Sequence, residues 1–223
     1  MKKYSKVIFL IVFLFSIADS QPIRQYGIKA GFSLATMKWV TAGITDNQIR
    51  NRLGFDVGGF IEWFEDPLFS FISELDYVQK GMREDIPVTT EQYPDGTGEF
   101  FKYDCRIDLL SFSLLPKARI EMGGVELYAI AGVRLDYSLS NSVSVEGEEP
   151  FSKYTEQAFQ SFFDHFKRTQ FGGTFGAGVQ LKSILPFPAG IEIRYSPNWQ
   201  NTYSDRYWNI RSRSFEFLLT VYE

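Results

Sequence analysis

The sequence predicts an all-β fold, an eight-stranded antiparallel up-and-down transmembrane β-barrel. Three observations carry that prediction. Eight segments alternate apolar and polar residues with a period of two, the connections between them alternate short and long, and the two faces so defined differ sharply in charge. A period of two marks a β-strand, because successive side chains point to opposite faces of the sheet.

The clearest segment is 125–139, VELYAIAGVRLDYSL. Val125, Leu127, Ala129, Ala131, Val133, Leu135, Tyr137 and Leu139 hold its odd positions, and Glu126, Arg134 and Asp136 stand at even ones. The same alternation appears in order along the chain. In 26–34, Tyr26, Ile28, Ala30, Phe32 and Leu34 alternate with Gly27, Lys29, Gly31 and Ser33. In 53–64, Leu53, Phe55, Val57, Ile61 and Trp63 oppose Gly54, Asp56, Gly58 and Glu62. Segment 68–80 sets Phe69, Phe71, Leu75 and Tyr77 against Ser70, Glu74, Asp76 and Lys80. Segment 104–121 sets Leu110, Phe112, Leu114, Ala118 and Ile120 against Ser111, Ser113, Lys117, Arg119 and Glu121. After 125–139, segment 171–182 sets Phe171, Phe175, Ala177, Val179 and Leu181 against Gly172, Thr174, Gly176, Gly178, Gln180 and Lys182. In 189–196, Ile191, Ile193 and Tyr195 alternate with Glu192, Arg194 and Ser196. In 214–222, Phe215, Phe217, Leu219 and Val221 alternate with Ser214, Glu216 and Thr220. Each reads as one strand.

Three connections are short, at 65–67, 122–124 and 184–187, and four are long, at 38–52, 81–101, 141–168 and 197–210. A meander whose rims face different compartments sorts its connections in this way, with short periplasmic turns and long extracellular loops.

The polar faces together hold Lys29, Asp56, Glu62, Glu74, Asp76, Lys117, Arg119, Glu121, Glu126, Arg134, Asp136, Glu192, Arg194 and Glu216. A soluble ligand-binding barrel would turn this face to water; a membrane barrel would enclose it. Side chains already fill an eight-stranded interior, so the Phe and Tyr of most strands cannot all share it. Gly27, Gly31, Gly54, Gly58, Gly132, Gly172, Gly176 and Gly178 fall on the polar face. Missing side chains belong on the crowded inner side. The odd residues of 125–139 are therefore expected to meet lipid. The charged residues are expected to form a lumen network, paired because buried charge requires a partner.

The ends and the composition agree with export. Lys2, Lys3 and Lys6 precede an apolar run at 7–17, and Ala18 and Ser20 stand three and one before a cut ahead of Gln21. This is a secretory signal-peptide pattern, with a run too short to span a bilayer. The expected division is a signal peptide at 1–20 and a barrel at 21–223. Beyond residue 20, 20 basic residues stand against 26 acidic ones, a net charge of −6. That balance argues against a nucleic-acid partner. Aromatic residues make up 17% of the chain, which suits strands better than helices. Cys105 is the single cysteine and His165 the single histidine. No intrachain disulfide, metal site or cofactor is expected from that inventory.

Five stretches resemble the PorT-like outer-membrane β-barrel family of Gram-negative bacteria. They are YGIKAGFSLATM (26–37), IDLLSFSLLPKARI (107–120), VELYAIAGVRLDYSL (125–139), TFGAGVQLK (174–182) and SFEFLLTVY (214–222). The resemblance covers essentially the whole chain after the signal segment. It implies residence in the cell outer membrane, contact with outer-membrane lipid, and service to an envelope or secretion assembly through an envelope protein partner. It also implies the barrel insertion machinery as a partner, which reads an aromatic end, here Tyr222 beside Glu223.

Function classes can be weighed from what remains. A non-enzymatic structural or interaction barrel is the expected role. A lipid-modifying enzyme is the first alternative, using Ser161 and His165 beside Asp164; such chemistry needs a base aimed at the hydroxyl and oriented by a third group. A soluble periplasmic ligand-binding barrel is the second. Phe159, Phe162, Phe163 and Phe166 fall at helical spacing, so 153–168 is expected to form a short amphipathic helix. Its stripe is read as a contact for membrane or partner, or as packing against the nearby strands. Glu146 opens an acidic stretch at 146–149, read as a solvated loop, and Trp199, Tyr203, Tyr207 and Trp208 are read as an aromatic girdle at the membrane edge.

Overall fold

The computed structural model describes residues 23–41, 44–45, 49–64, 66–87, 100–146, 151–182, 187–204 and 208–223. The expected signal peptide at 1–20, residues 147–149 of the acidic stretch, and Tyr207 lie outside the described residues.

Among the described residues, eight long strands run in sequence order: β1 (Ile23–Thr41), β2 (Ile49–Trp63), β3 (Phe69–Pro87), β4 (Phe100–Met122), β5 (Val125–Glu146), β6 (Thr169–Leu181), β7 (Ala189–Pro197) and β8 (Trp208–Tyr222). One helix, α1 (Phe151–Phe163), lies between β5 and β6. Two-residue strands at Ile44–Thr45 and Tyr203–Ser204 edge β1 and β8. Each long strand pairs antiparallel with its sequence neighbour. β1 then pairs with β8 from Gly27↔Tyr222 to Thr41↔Trp208. The sheet thus closes on itself and leaves no free edge strand for lipid to meet.

The short turn between β4 and β5 shows how closure is set locally. Met122 pairs with Val125, leaving Gly123 and Gly124 as a two-residue loop with φ of 58° and 86°. Both positions lie in the left-handed region, which a type I′ hairpin requires and glycine adopts without steric cost.

Burial decides which face is inside. Lys29, Asp56, Glu74, Lys117, Glu126 and Asp136 are buried, while Ile28 is 67% exposed, Phe32 60% and Leu219 63%. The charged face is the lumen and the apolar face is the outer wall. A soluble barrel would have the reverse arrangement.

The strands run further than the alternation predicts. β3 continues to Pro87, β4 begins at Phe100 and β5 reaches Glu146, so 81–87, 100–101 and 141–146 of the expected loops at 81–101 and 141–168 are paired strand. In this extension the polarity of the two faces is exchanged. On β1 the lumen face carries Lys29 and Ser33, then Ala35, Met37 and Trp39, all buried, while Lys38 faces out. On β4 it carries Lys117, Ser113 and Ser111, then Leu109, Ile107, Cys105 and Tyr103. On β1 and β4 the alternation keeps its phase through the change, whereas on β5 a register shift between Asp108↔Ser140 and Leu109↔Ser138 moves the inward positions from Asp136 and Ser138 to Val143 and Val145. The medium outside changes from lipid to water, and the apolar side chains take the side away from water.

α1 closes the upper end. It runs from 151 to 163 rather than from 153 to 168, and Phe166 sits in the turn that follows, its N–H bonded to the Phe163 carbonyl. Phe163 and Phe166 are buried with Met37, Trp39, Met82, Tyr103, Cys105 and Ile210. Gln160 fastens the helix to β5, accepting from the Val143 N–H at 3.1 Å and donating to the Asn141 carbonyl at 3.0 Å.

Candidate functional site: the charged lumen and its aromatic cap

Period-two alternation sends one side chain in two from all eight strands into a common interior, so residues far apart in sequence meet there. Three clusters result.

At the periplasmic end Glu62 of β2 gathers five donors. Arg24 Nη1 lies at 2.6 Å, Gln25 Nε2 at 2.5 Å, Ser70 Oγ at 2.6 Å and Lys117 Nζ at 3.0 Å, and Arg119 completes the set. Glu126 takes the same cations from the other side, with Lys117 Nζ at 2.7 Å and Arg24 Nη2 at 3.0 Å. Arg119 also donates to the carbonyls of Asp66 and Pro67, which fixes the β2–β3 turn beneath the lumen.

At mid-height Lys29 lies between Glu74 at 2.7 Å and Asp76 at 2.9 Å. Arg194 reaches Glu74 with two bonds and also pairs with Glu192. Tyr128 donates to Glu192 at 2.8 Å and stands 3.3 Å from the Tyr222 hydroxyl. The space among Glu74, Tyr128, Glu192, Arg194, Thr220 and Tyr222 is about 10 Å³, the lower limit for one water.

Nearer the extracellular end Asp136 accepts from Ser111 at 2.6 Å and pairs with Arg134 at 2.9 Å. Lys80 lies 3.6 Å from Asp136 and 3.9 Å from Glu216. Glu216 accepts from Ser214 at 2.8 Å and Ser196 at 3.0 Å. Arg134 continues to Asn198 at 2.8 Å, which donates to Gln170.

Of the fourteen charged residues singled out in the sequence, the structure buries thirteen in these clusters or between them. Glu121 is the correction: it is exposed at the periplasmic rim, 54% open at the side chain, and pairs with Lys182 at 2.8 Å. It stands one step from the β4–β5 turn, past the end of the enclosed lumen. Asp56 is buried but has no ion pair within 4.0 Å among the described residues. Sequence reading missed two members. Lys80 belongs to the alternation but lies at the end of its segment, and Arg24 precedes the first alternating segment.

For the phenylalanine stripe the structure shows the second of the two expected roles, packing against the nearby strands. Phe163 and Phe166 are buried, and Phe159 and Phe162 pack on the same cluster, with Phe159 4.8 Å from the Tyr103 ring and Phe162 5.8 Å from that of Trp39. The stripe packs as the cap's own core, with Phe163 and Phe166 buried and Phe159 and Phe162 partly buried. Tyr203 joins that core, 4.7 Å from Phe162, rather than the membrane girdle; Trp199 is exposed.

The hydrolytic constellation is not assembled. His165 Nδ1 lies 2.7 Å from the backbone carbonyl of Ser161, not from its hydroxyl. Asp164 accepts from Gln160 at 3.0 Å. Among the described residues no group of three or more His, Cys, Asp and Glu side chains could hold a metal ion.

The whole arrangement is a plugged barrel: ion pairs fill the membrane-embedded interior and an aromatic core fills the part above it. The solved structures similar to it include the attachment invasion locus protein Ail of Yersinia pestis, crystallised with the heparin analogue sucrose octasulfate. It is 14% identical, with a TM-score of 0.40 over 89% of this chain and 98% of that one. Neisserial surface protein A is 15% identical, with a TM-score of 0.43 over 88% and 96%. OprG of Pseudomonas aeruginosa is 10% identical, with a TM-score of 0.39 over 90% and 95%. No curated protein matches the sequence. A family model, described as outer membrane protein beta-barrel domain, matches residues 18–204, most of the chain. With its enclosed charges and its lipid-facing wall, the chain belongs to the outer membrane protein β-barrel family and resides in the outer membrane.

Proposed function

We propose that this barrel is a sealed, non-enzymatic platform that holds a rigid extracellular surface above the outer membrane for another envelope component. The observation that carries the reading is the exchange of polarity along the strands. β3, β4 and β5 leave the membrane as one paired sheet with its own apolar core and a helical lid. Loops needed only to connect strands would not require such a core. The paired lumen supports a sealed barrel rather than a channel, and the His165 contact supports a non-enzymatic one. Export by cleavage after residue 20 and service to an envelope or secretion assembly belong to the same proposal. The support for the assembly role is the narrower resemblance to PorT-like barrels.

Two measurements test it. Purified barrel in a planar bilayer should show no ionic conductance; a steady open state would replace the platform with a pore. Photo-crosslinking probes in live cells, placed at exposed Arg83 and Lys102, should trap one defined envelope protein. The same probe at lipid-facing Phe112 should trap lipid. Lipid adducts at all three positions would leave a purely structural barrel.

A further inference from the structure

Above the membrane most of the basic side chains on β2 to β4 are matched by acids. Arg52 lies 2.5 Å and Arg83 2.9 Å from Asp104, Arg50 lies 2.8 Å from Asp85, and Arg106 lies 3.2 Å from Asp108. The seam where β8 closes on β1 is different. Lys38 is registered directly against Arg211, and Arg213 sits one row below, against Thr36. All three are exposed on the outer face. No ion pair joins any of them to a carboxylate among the described residues. The neighbouring positions are Thr36, Val40, Pro197 and Asn209, none of them acidic. Asn201 accepts from Arg211 at 2.6 Å, which steadies the guanidinium without neutralising it.

Two like charges directly opposite each other on one sheet face, with a third on the diagonal, repel. The arrangement makes sense with an anion between them. Its height identifies the anion. The last wholly apolar row of the seam is Leu34↔Phe215, below which come Phe32↔Phe217 and Ala30↔Leu219. Each further row of outward residues rises about 7 Å along the strand. Arg213 therefore stands about one row, and Lys38 with Arg211 about two rows, above the hydrocarbon belt, at the depth of the headgroups. On the extracellular side that layer is the outer leaflet, and its strongest anionic acceptor is phosphate, which arginine binds with two parallel hydrogen bonds.

We propose that Lys38, Arg211 and Arg213 form a binding site for the phosphate groups of an outer-leaflet glycolipid, whose acyl chains lie on the apolar wall beneath. The site rests on the outer-membrane placement and adds a specific lipid to it.

The test uses the folded full barrel in phosphatidylcholine vesicles doped with bis-phosphorylated lipid A, or with the same lipid stripped of both phosphates. Lipid retained through mild detergent extraction is counted by native mass spectrometry. Heat-modifiable mobility confirms folding for every sample, so a misfolded variant or a failed barrel is seen separately from a failed site. The wild type should retain the phosphorylated lipid and release the stripped one. The K38Q/R211Q/R213Q variant should lose about a hundredfold in retention, the effect of removing three surface cations. A control removing three other basic residues, R83Q/K102Q/K153Q, should retain lipid as the wild type does. Equal retention by the wild type and the seam variant overturns the proposal. So does equal loss in the control, or displacement of the lipid by millimolar inorganic phosphate, which would make the seam a simple phosphate site.

Discussion

Arg194 grips Glu74 with both arms of its guanidinium, at 2.6 and 2.7 Å, across the lumen from β7 to β3. These strands lie four places apart in a ring of eight, so the pair is a strut through the middle of the barrel. Lys29 leans on the same carboxylate from β1 at 2.7 Å.

Glu74→Ala should leave both cations short of a partner in an enclosed interior. Breaking a buried pair from one side costs about 3–5 kcal/mol. Urea unfolding in vesicles should show that loss. Replacing the partners together, as Glu74→Leu with Arg194→Met and with Glu192→Gln to remove the carboxylate that Arg194 also pairs, should recover most of it, because well-packed uncharged side chains substitute for a buried pair. A triple variant as unstable as the single one would mean that the strut contributes more than its own neutralisation.

Glycine on the lumen face can be tested by one methyl group. A Cβ at Gly31 would stand 1.9 Å from the Phe217 carbonyl oxygen of β8, in the closing seam, and that backbone atom cannot rotate away. Gly31→Ala should destabilise by about 3 kcal/mol or more through overpacking. Gly59→Ala, whose nearest neighbour is the Gly27 carbonyl oxygen at 3.5 Å, should fold normally. Heat-modifiable mobility distinguishes them directly.

The cap should loosen without the barrel. Phe163 is 1% exposed and T-shaped against Phe162 at 5.8 Å. Phe163→Ala should cost about 3–5 kcal/mol locally. External protease should then cut 151–166 faster while the barrel keeps its SDS resistance. If both fail together, the extracellular core and the membrane core fold as one unit.

At the periplasmic turn, the Asp66 carboxylate accepts the N–H groups of Leu68 and Phe69 at 2.8 and 2.9 Å, which holds it below its ordinary value of 3.8. A folded-state value below the unfolded one gives stability that is present above pH 3.8 and lost as the pH falls through the folded value. Amide exchange at Leu68 and Phe69 should therefore stay slow, relative to the intrinsic rate, from neutral pH to about pH 4 and lose protection below it. Asp66→Asn should lose the ionised acceptor and show no such acid step.

His165→Ala should leave the membrane lipid profile unchanged, because the imidazole is bonded to the Ser161 carbonyl and not to its hydroxyl. Loss of a modified lipid species in that variant would revive acyl chemistry at the cap.

Most of the membrane-embedded part is legible in the sequence, because lipid outside and charge inside write opposite residue types on alternate positions. The same rule misleads above the membrane. At Met37, Cys105 and Ile107 the apolar phase moves to the inner face, and 81–87 and 141–146, which look like the starts of loops, are strands entering water. The phenylalanine spacing of 159–166 identifies a buried face, but a periodicity does not name the surface that covers it. Arg24 is hidden because it precedes the first alternating segment; Lys80 stands on the polar face of its segment but is not counted with the lumen charges.

The sequence by itself determined the strand order, the two faces and the residues that line the lumen, since each follows from local period and from the cost of placing charge in hydrocarbon. The tertiary structure alone decided the pairing: that Arg194 reaches Glu74, that Glu62 collects donors from β1, β3 and β4, and that Lys38 meets Arg211. Those contacts depend on the register and closure of the ring, which bring together residues from 8 to more than a hundred positions apart, and no local pattern records a register set by the whole barrel.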